Sequence, residues 1–115
     1  MTDRTLTQVG THALIDVRGA KRLDEPAHLE AILKGAAKAA GATILQSHFH
    51  HFGEAMGVTG VLMLAESHVS IHTWPETDFA AIDIFMCGSA QIDSAISHIE
   101  QAFPKAEIDV RRMAR

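Results

Sequence analysis

Eight histidines and a single cysteine stand out in a chain of 115 residues, because both side-chain types move protons near neutral pH. Five of the histidines, together with Cys87, fall between Gln46 and Gly88. In an extended chain alternate residues share a face. His48 and His50 therefore lie together, with His51 turned away; His68, Ser70 and His72 form a second set, and Asp83, Phe85 and Cys87 a third. Three readings fit the pattern. In the plainest, the histidines are half-exposed strand residues and Cys87 is a small core side chain. In the second, His48 and His50 are joined by His72 or Cys87 around zinc, although no HExxH or CxxC spacing supports it. In the third, a histidine activates Ser67 or Cys87 as a nucleophile, although Ser67 does not sit in a GxSxG elbow. The residues place a site on a sheet without naming its reaction.

The elements that must position these residues can be read from periodicity and turn chemistry. Ten polar, unpatterned residues form a flexible start, and residues 11–17 then alternate as a short strand ending at Gly19. Asp24 offers an N-cap with Pro26 in the first turn of a helix. Leu29, Ile32, Leu33 and Ala36 recur at helical spacing, and Gly41 supplies the stop. Residues 42–52, 58–65, 68–73 and 79–86 are short apolar or β-branched runs separated by turn-like segments, hence four strands. Ile92, Ile96, Ile99 and Phe103 form a second helical stripe that ends before Pro104, and residues 108–110 add a last strand. Short connections between successive strands favour antiparallel pairing. The expected fold class is α+β, a two-layer sandwich with two helices on one face of a mainly antiparallel sheet. In residues 79–86 both alternating sets carry apolar side chains, so both sheet faces should be covered. Two helices can cover one face, and a second copy of the chain is expected on the other, in a sheet-to-sheet dimer.

Composition narrows the function classes. At 47% hydrophobic and 21% charged, the 115 residues are those of one ordinary globular domain. A net charge of −4 gives no electrostatic footprint for nucleic acid or an anionic membrane, so neither partner is expected. One cysteine excludes an internal disulfide and suits a reducing cytoplasm. No apolar run approaches the roughly 20 residues that span a bilayer, and the first residues lack a signal-peptide layout. A domain of this size buries only about two-thirds of its unfolded surface, so a large cofactor needs a partner subunit or another solution.

The stretch from Ala65 to Glu76, with its Glu66-Ser67-His68 and Ile71-His72-Thr73-Trp74-Pro75-Glu76, is followed by Ile82-Asp83-Ile84-Phe85-Met86-Cys87-Gly88. With Gly41-Ala42-Thr43 and Gly57-Val58-Thr59-Gly60 ahead of them, these blocks resemble the small prokaryotic S-adenosylmethionine decarboxylases, over nearly the whole chain. The resemblance implies an enzyme that makes its own pyruvoyl cofactor. Ser67 attacks the carbonyl of Glu66, elimination splits the chain into a β chain, 1–66, and an α chain, 67–115, and the serine remnant becomes pyruvate. The pyruvoyl carbonyl condenses with the substrate amine to a Schiff base and takes the charge left by decarboxylation, with no bound pyridoxal phosphate and no metal.

The same resemblance implies residue roles. Ser67 is the pyruvoyl precursor, and His72 is the base that removes its α-proton during processing. Cys87 donates a proton to the substrate carbon after carbon dioxide leaves, the work of a general acid. Glu76 hydrogen-bonds the ribose hydroxyls, and Phe52 stacks on adenine or faces the sulfonium. Thr59 stands where some members carry a processing serine and keeps the hydroxyl. The product would be the aminopropyl donor for spermidine synthesis, made by a homo-oligomer of αβ units, a dimer of heterodimers, in the cytoplasm. Val17-Arg18 stands where many members have an aromatic residue, and a guanidinium attracts a carboxylate and repels a sulfonium. That departure motivates an alternative, a pyruvoyl-dependent decarboxylase of ornithine or arginine on the same fold.

Overall fold

The computed structural model describes residues 8–115, so the flexible start expected for the first residues lies, up to residue 7, outside the described residues. The elements run β1 (Gly10–Arg18), α1 (Pro26–Ala39), β2 (Ile44–His51), β3 (Val58–Leu64), β4 (Ser67–Trp74), a single 3-10 turn (Pro75–Thr77), β5 (Phe79–Cys87), α2 (Ile92–Ala102) and β6 (Glu107–Ala114). All six strands join one antiparallel sheet in the order β2-β3-β4-β5-β1-β6. The two-layer α+β arrangement expected from the sequence is the one observed.

Helix α1 buries Leu29, Ile32, Leu33, Ala36 and Ala37, one stripe at three- and four-residue spacing, and α2 buries Ala95, Ile96 and Ile99. Both stripes close over the same sheet face, where Ala13, Ile15, Leu62, Val69, Ile71 and Ile84 are fully buried. Helix α1 ends as Gly41 predicts. At φ +76° it takes the left-handed turn, the N–H of Gly41 donates to the Lys38 carbonyl, and that of Ala42 donates to the Ala37 carbonyl. At the other end the expectation needs correction. The N-cap is Glu25, not Asp24, and no side chain caps the first turn. Glu25 instead accepts hydrogen bonds from the Arg22 Nε, shared between both carboxylate oxygens, and from Nη2, while Pro26 sits at the first helical position, where no N–H is wanted.

Two further differences concern strands. Strand β6 extends to Ala114, well past the expected 108–110, because it pairs with β1 from Thr11↔Ala114 to Arg18↔Glu107. Backbone pairing along a free edge outweighs the charged run Arg111-Arg112 that hid the strand. Ser67 is the first residue of β4, not a turn residue: it pairs with Leu64, leaving Ala65 and Glu66 as the whole connection. Glu66 closes that turn at φ +63°, a conformation that costs a non-glycine residue about 1–2 kcal/mol.

The face away from the helices is open in the single chain. On it Leu14, Val61, Met63, Trp74 and Met113 are 41–58% exposed. In β5 the even positions Ala80, Ile82, Ile84 and Met86 are buried under the helices, whereas Phe79, Ala81, Asp83, Phe85 and Cys87 point to the open face and are half-buried. The chain order is also interleaved. Strands β1–β3 precede the Ala65–Glu66 turn and β4–β6 follow it, yet β1 lies between β5 and β6.

Candidate active site

Antiparallel pairing gathers the chemically capable residues at two ends of the open face. One end holds the start of β4 and the end of β5, which pair from His68↔Phe85 to Trp74↔Phe79. There the Cys87 thiol donates to the Glu66 carbonyl oxygen at 2.8 Å. The Cys87 N–H donates to the Ser67 Oγ at 3.3 Å, and the Ser67 Oγ and Cys87 Sγ lie 3.7 Å apart. One residue therefore holds both partners of a possible acyl shift, the hydroxyl that would attack and the carbonyl it would attack. A donor on the carbonyl oxygen favours negative charge there. The carbonyl belongs to the left-handed Glu66, so ordering and backbone strain meet at one peptide bond.

The opposite end collects the end of β2, the start of β3 and the end of β4. Thr59 and His72 face each other across the β3–β4 ladder, with Thr59 Oγ1 and His72 Nδ1 3.1 Å apart. The His72 ring leans toward Trp74, centroids 6.4 Å apart, and Trp74 stacks tilted on Phe79 at 5.6 Å. Phe52 is 58% exposed just past β2, with its ring against the edge of His50 at 4.6 Å. Glu76 is exposed in the 3-10 turn after β4. Arg18 does not point at a free site: its guanidinium lies 5.2 Å from the Phe79 centroid and 3.9 Å from Asp16, while Val17 is buried under the helices.

Ser67 and His72 thus belong to opposite ends of one strand. Five residues at ~3.3 Å each separate them by about 17 Å within a protomer. Ser67, Glu66 and Cys87 come together; Thr59, His72, Phe52 and Glu76 share the far end.

Between the ends lies a cluster that spacing did not single out. Asp83 Oδ2 accepts from His12 Nε2 at 2.7 Å and from His68 Nε2 at 2.8 Å, and Asp83 Oδ1 accepts from the Ser70 hydroxyl. Burial pushes the Asp83 carboxyl up, but the hydrogen bonds from Ser70, His12 and His68 outweigh it and hold it below the usual carboxylate range. The Phe85 ring packs against both imidazoles, at 5.8 Å from His12 and 6.3 Å from His68. The available signal was the shared parity of His68, Ser70, Asp83 and Cys87; the contribution of His12 required knowing that β1 lies beside β5. Among the described residues His12, His68 and Asp83 form the one triple with metal-ligand spacing, so His48 and His50 do not gather His72 or Cys87 around an ion.

Comparison with known proteins points one way. The family described as S-adenosylmethionine decarboxylase matches residues 11–115. The S-adenosylmethionine decarboxylase proenzyme of Synechococcus sp. (strain WH7803) is 46% identical over 94 residues, covering 79% of this chain and 73% of that protein. The proenzyme of the same name from Methanococcus vannielii is 40% identical over 108 residues, covering 91% and 88%. A crystal structure of the adenosylmethionine decarboxylase from Aquifex aeolicus VF5 superposes with a TM-score of 0.84 at 35% identity, covering 94% of this chain and 91% of that one.

Proposed function

Because the chain belongs to the S-adenosylmethionine decarboxylase family, we propose that it cuts itself between Glu66 and Ser67 and then decarboxylates S-adenosylmethionine to the aminopropyl donor for spermidine synthesis. The observation that carries this reading is the contact set at the turn: one cysteine donates to the carbonyl of Glu66 and to the hydroxyl oxygen of Ser67. A serine so placed suits a self-made pyruvoyl cofactor, since attacking oxygen, acceptor carbonyl and proton donor are all present.

The Ser67 Oγ attacks the Glu66 carbonyl carbon. The new C–O bond replaces the C–N bond, the hydroxyl proton passes to the released amine, and an ester links the two segments. Charge that develops on the carbonyl oxygen is stabilised by the Cys87 S–H. A base then removes the Ser67 α-proton, Glu66 departs as a carboxylate with the serine oxygen, and water displaces ammonia to leave a keto group at position 67. A pyruvoyl group there supplies an electron sink for the charge left when carbon dioxide departs. Cys87, already beside position 67, is the group placed to return a proton to the substrate carbon.

The base is His72, and it reaches position 67 from a second protomer. When the His72 Nδ1–H donates to Thr59 Oγ1, the Nε2 lone pair is free to take a proton. Two open faces packed by a two-fold axis, strands reversed, bring the Ser67–Cys87 end of one copy to the Thr59–His72 end of the other. The exposed Leu14, Val61, Met63, Trp74 and Met113 support this sheet-to-sheet dimer of αβ units. Phe52 and Glu76 then complete the pocket, the ring facing the adenine or sulfonium and the carboxylate accepting from the ribose hydroxyls. Arg18, which motivated ornithine or arginine as substrate, is engaged by Phe79 and Asp16. No helix of the described residues is long and apolar enough to cross a membrane; we place the enzyme in the cytoplasm, as its lone cysteine suggests. Intact mass of freshly purified protein tests the reading: fragments 1–66 and 67–115, the latter with a borohydride-reducible terminus, are expected. A single full-length species without such a terminus would overturn it.

A further inference from the structure

We propose that Asp83 is a positioning residue for the decarboxylation: through the Nε2–H of His68 it fixes the new end of the downstream fragment beside Cys87. The inference rests on the reading above and deepens it. Before the cut, position 67 is held by its bond to Glu66, by the hydrogen bond from the Cys87 N–H to its Oγ and by its pairing with Leu64 on β3. The cut removes the first two, because the serine oxygen leaves with Glu66, and it takes the position-67 N–H from the β3 pairing as well, because a keto group replaces the nitrogen. His68 is then the first residue of the fragment with a side chain to hold it, and that side chain is bound to Asp83 at 2.8 Å. Asp83 is itself braced: Ser70 donates to its other oxygen, and His12 donates to the oxygen it shares with His68. Asp83 and Cys87 share one face of β5, so a rigid strand fixes the distance between the anchor and the proton donor.

The same three residues could be taken for a metal site, but the hydrogen bonding favours an anchor. The Arg115 Nη1 is 3.2 Å from His12 Nδ1, and a guanidinium can only donate. His12 Nδ1 therefore accepts, its Nε2 carries the hydrogen, and that hydrogen points at Asp83. A metal at Nε2 would need the opposite tautomer and the loss of the Arg115 contact.

Steady-state kinetics on the full chain, with intact mass and melting temperature measured beside them, test the role. Asp83→Asn and His68→Asn are expected to be cut as wild type is, yet to lose kcat about 10-fold with KM within about twofold. In the double variant the loss should be no larger than in either single one, whereas His12→Asn, which leaves the Asp83–His68 bond in place, should lose far less kcat at a similar change in melting temperature. Cut Asp83→Asn with wild-type kcat would overturn the proposal, as would an equal kcat loss in all three single variants. Failure of Asp83→Asn to cut would place its role before the reaction and overturn it too. Zinc co-purifying at one per wild-type chain and lost in Asp83→Asn would make the cluster a metal site instead. An uncut wild-type chain would refute the underlying reading and not this role in particular.

Discussion

At Cys87 two tasks would meet on one sulfur: it donates to the Glu66 carbonyl in the intact chain, and in the proposed reaction it returns a proton to the substrate after the cut. The tasks separate by substitution. Ser67→Ala should remain one uncut, inactive chain on a denaturing gel. Cys87→Ala should still be cut, though more slowly, because an S–H is a weak donor and its loss removes only part of the stabilisation. Its turnover should drop by about 10²–10⁴-fold, the usual worth of a general acid. Asp83 makes a different kind of prediction. Folding lowers its pKa, so its contribution to stability is complete above the unfolded value, roughly 3.9, and fades as the pH falls through the lower folded value. The melting temperature of wild type should therefore decline more steeply below about pH 4 than that of Asp83→Asn; parallel curves would contradict the assignment. Ser67, His72 and Cys87 could be singled out in the sequence because contiguous motifs carry them; the structure groups Ser67 with Cys87 and sets His72 at the far end of β4. The His12–Asp83 bond joins residues 71 apart in the chain, and no local pattern reports such a pairing.

Among the elements, the β3–β4 turn carries the clearest strain. Glu66 holds φ +63° within a two-residue connection whose length is set by the pairing of Leu64 with Ser67. In an uncuttable Ser67→Ala background, Glu66→Gly should raise unfolding stability by about 1 kcal/mol, measured in urea. Gly41 shows the reverse case. At φ +76° it terminates α1, and Gly41→Ala should cost about 1 kcal/mol in the same assay. Inside α1, Leu33 is fully buried, so Leu33→Ala should cost about 2–5 kcal/mol. Helix positions were readable because apolar spacing and the terminal glycine agree. The N-cap was misplaced by one residue because Asp24 and Glu25 are both acidic, and the choice was made by Arg22, whose guanidinium holds Glu25. Strand β6 was underestimated because its partner, β1, lies about a hundred residues upstream, as the register Thr11↔Ala114 shows.

For the whole molecule, an open face with five large exposed apolar side chains and a site split between its ends calls for a second copy. Co-expression tests the shared site directly. Ser67→Ala and His72→Ala chains should each stay uncut alone, yet in mixed dimers the His72→Ala chain should be cut by the histidine of its neighbour. Absence of any cut in verified mixed dimers would mean that each site is built within one chain. The open apolar face was legible in β5, whose both faces carry apolar residues; the separation of Ser67 from His72 along β4 was not, because parity fixes a face and not a position along the strand. The interleaved strand order would have its own outcome if the chain is cut at the Glu66–Ser67 bond as proposed. Strand β1 of one piece remains clasped between β5 and β6 of the other, so the halves cannot drift apart while the sheet persists. Heat that melts the sheet also sets them adrift, and reassembly becomes a second-order encounter that slows with dilution. The proposed cut would thereby make refolding depend on concentration, where the intact chain refolds as a single molecule.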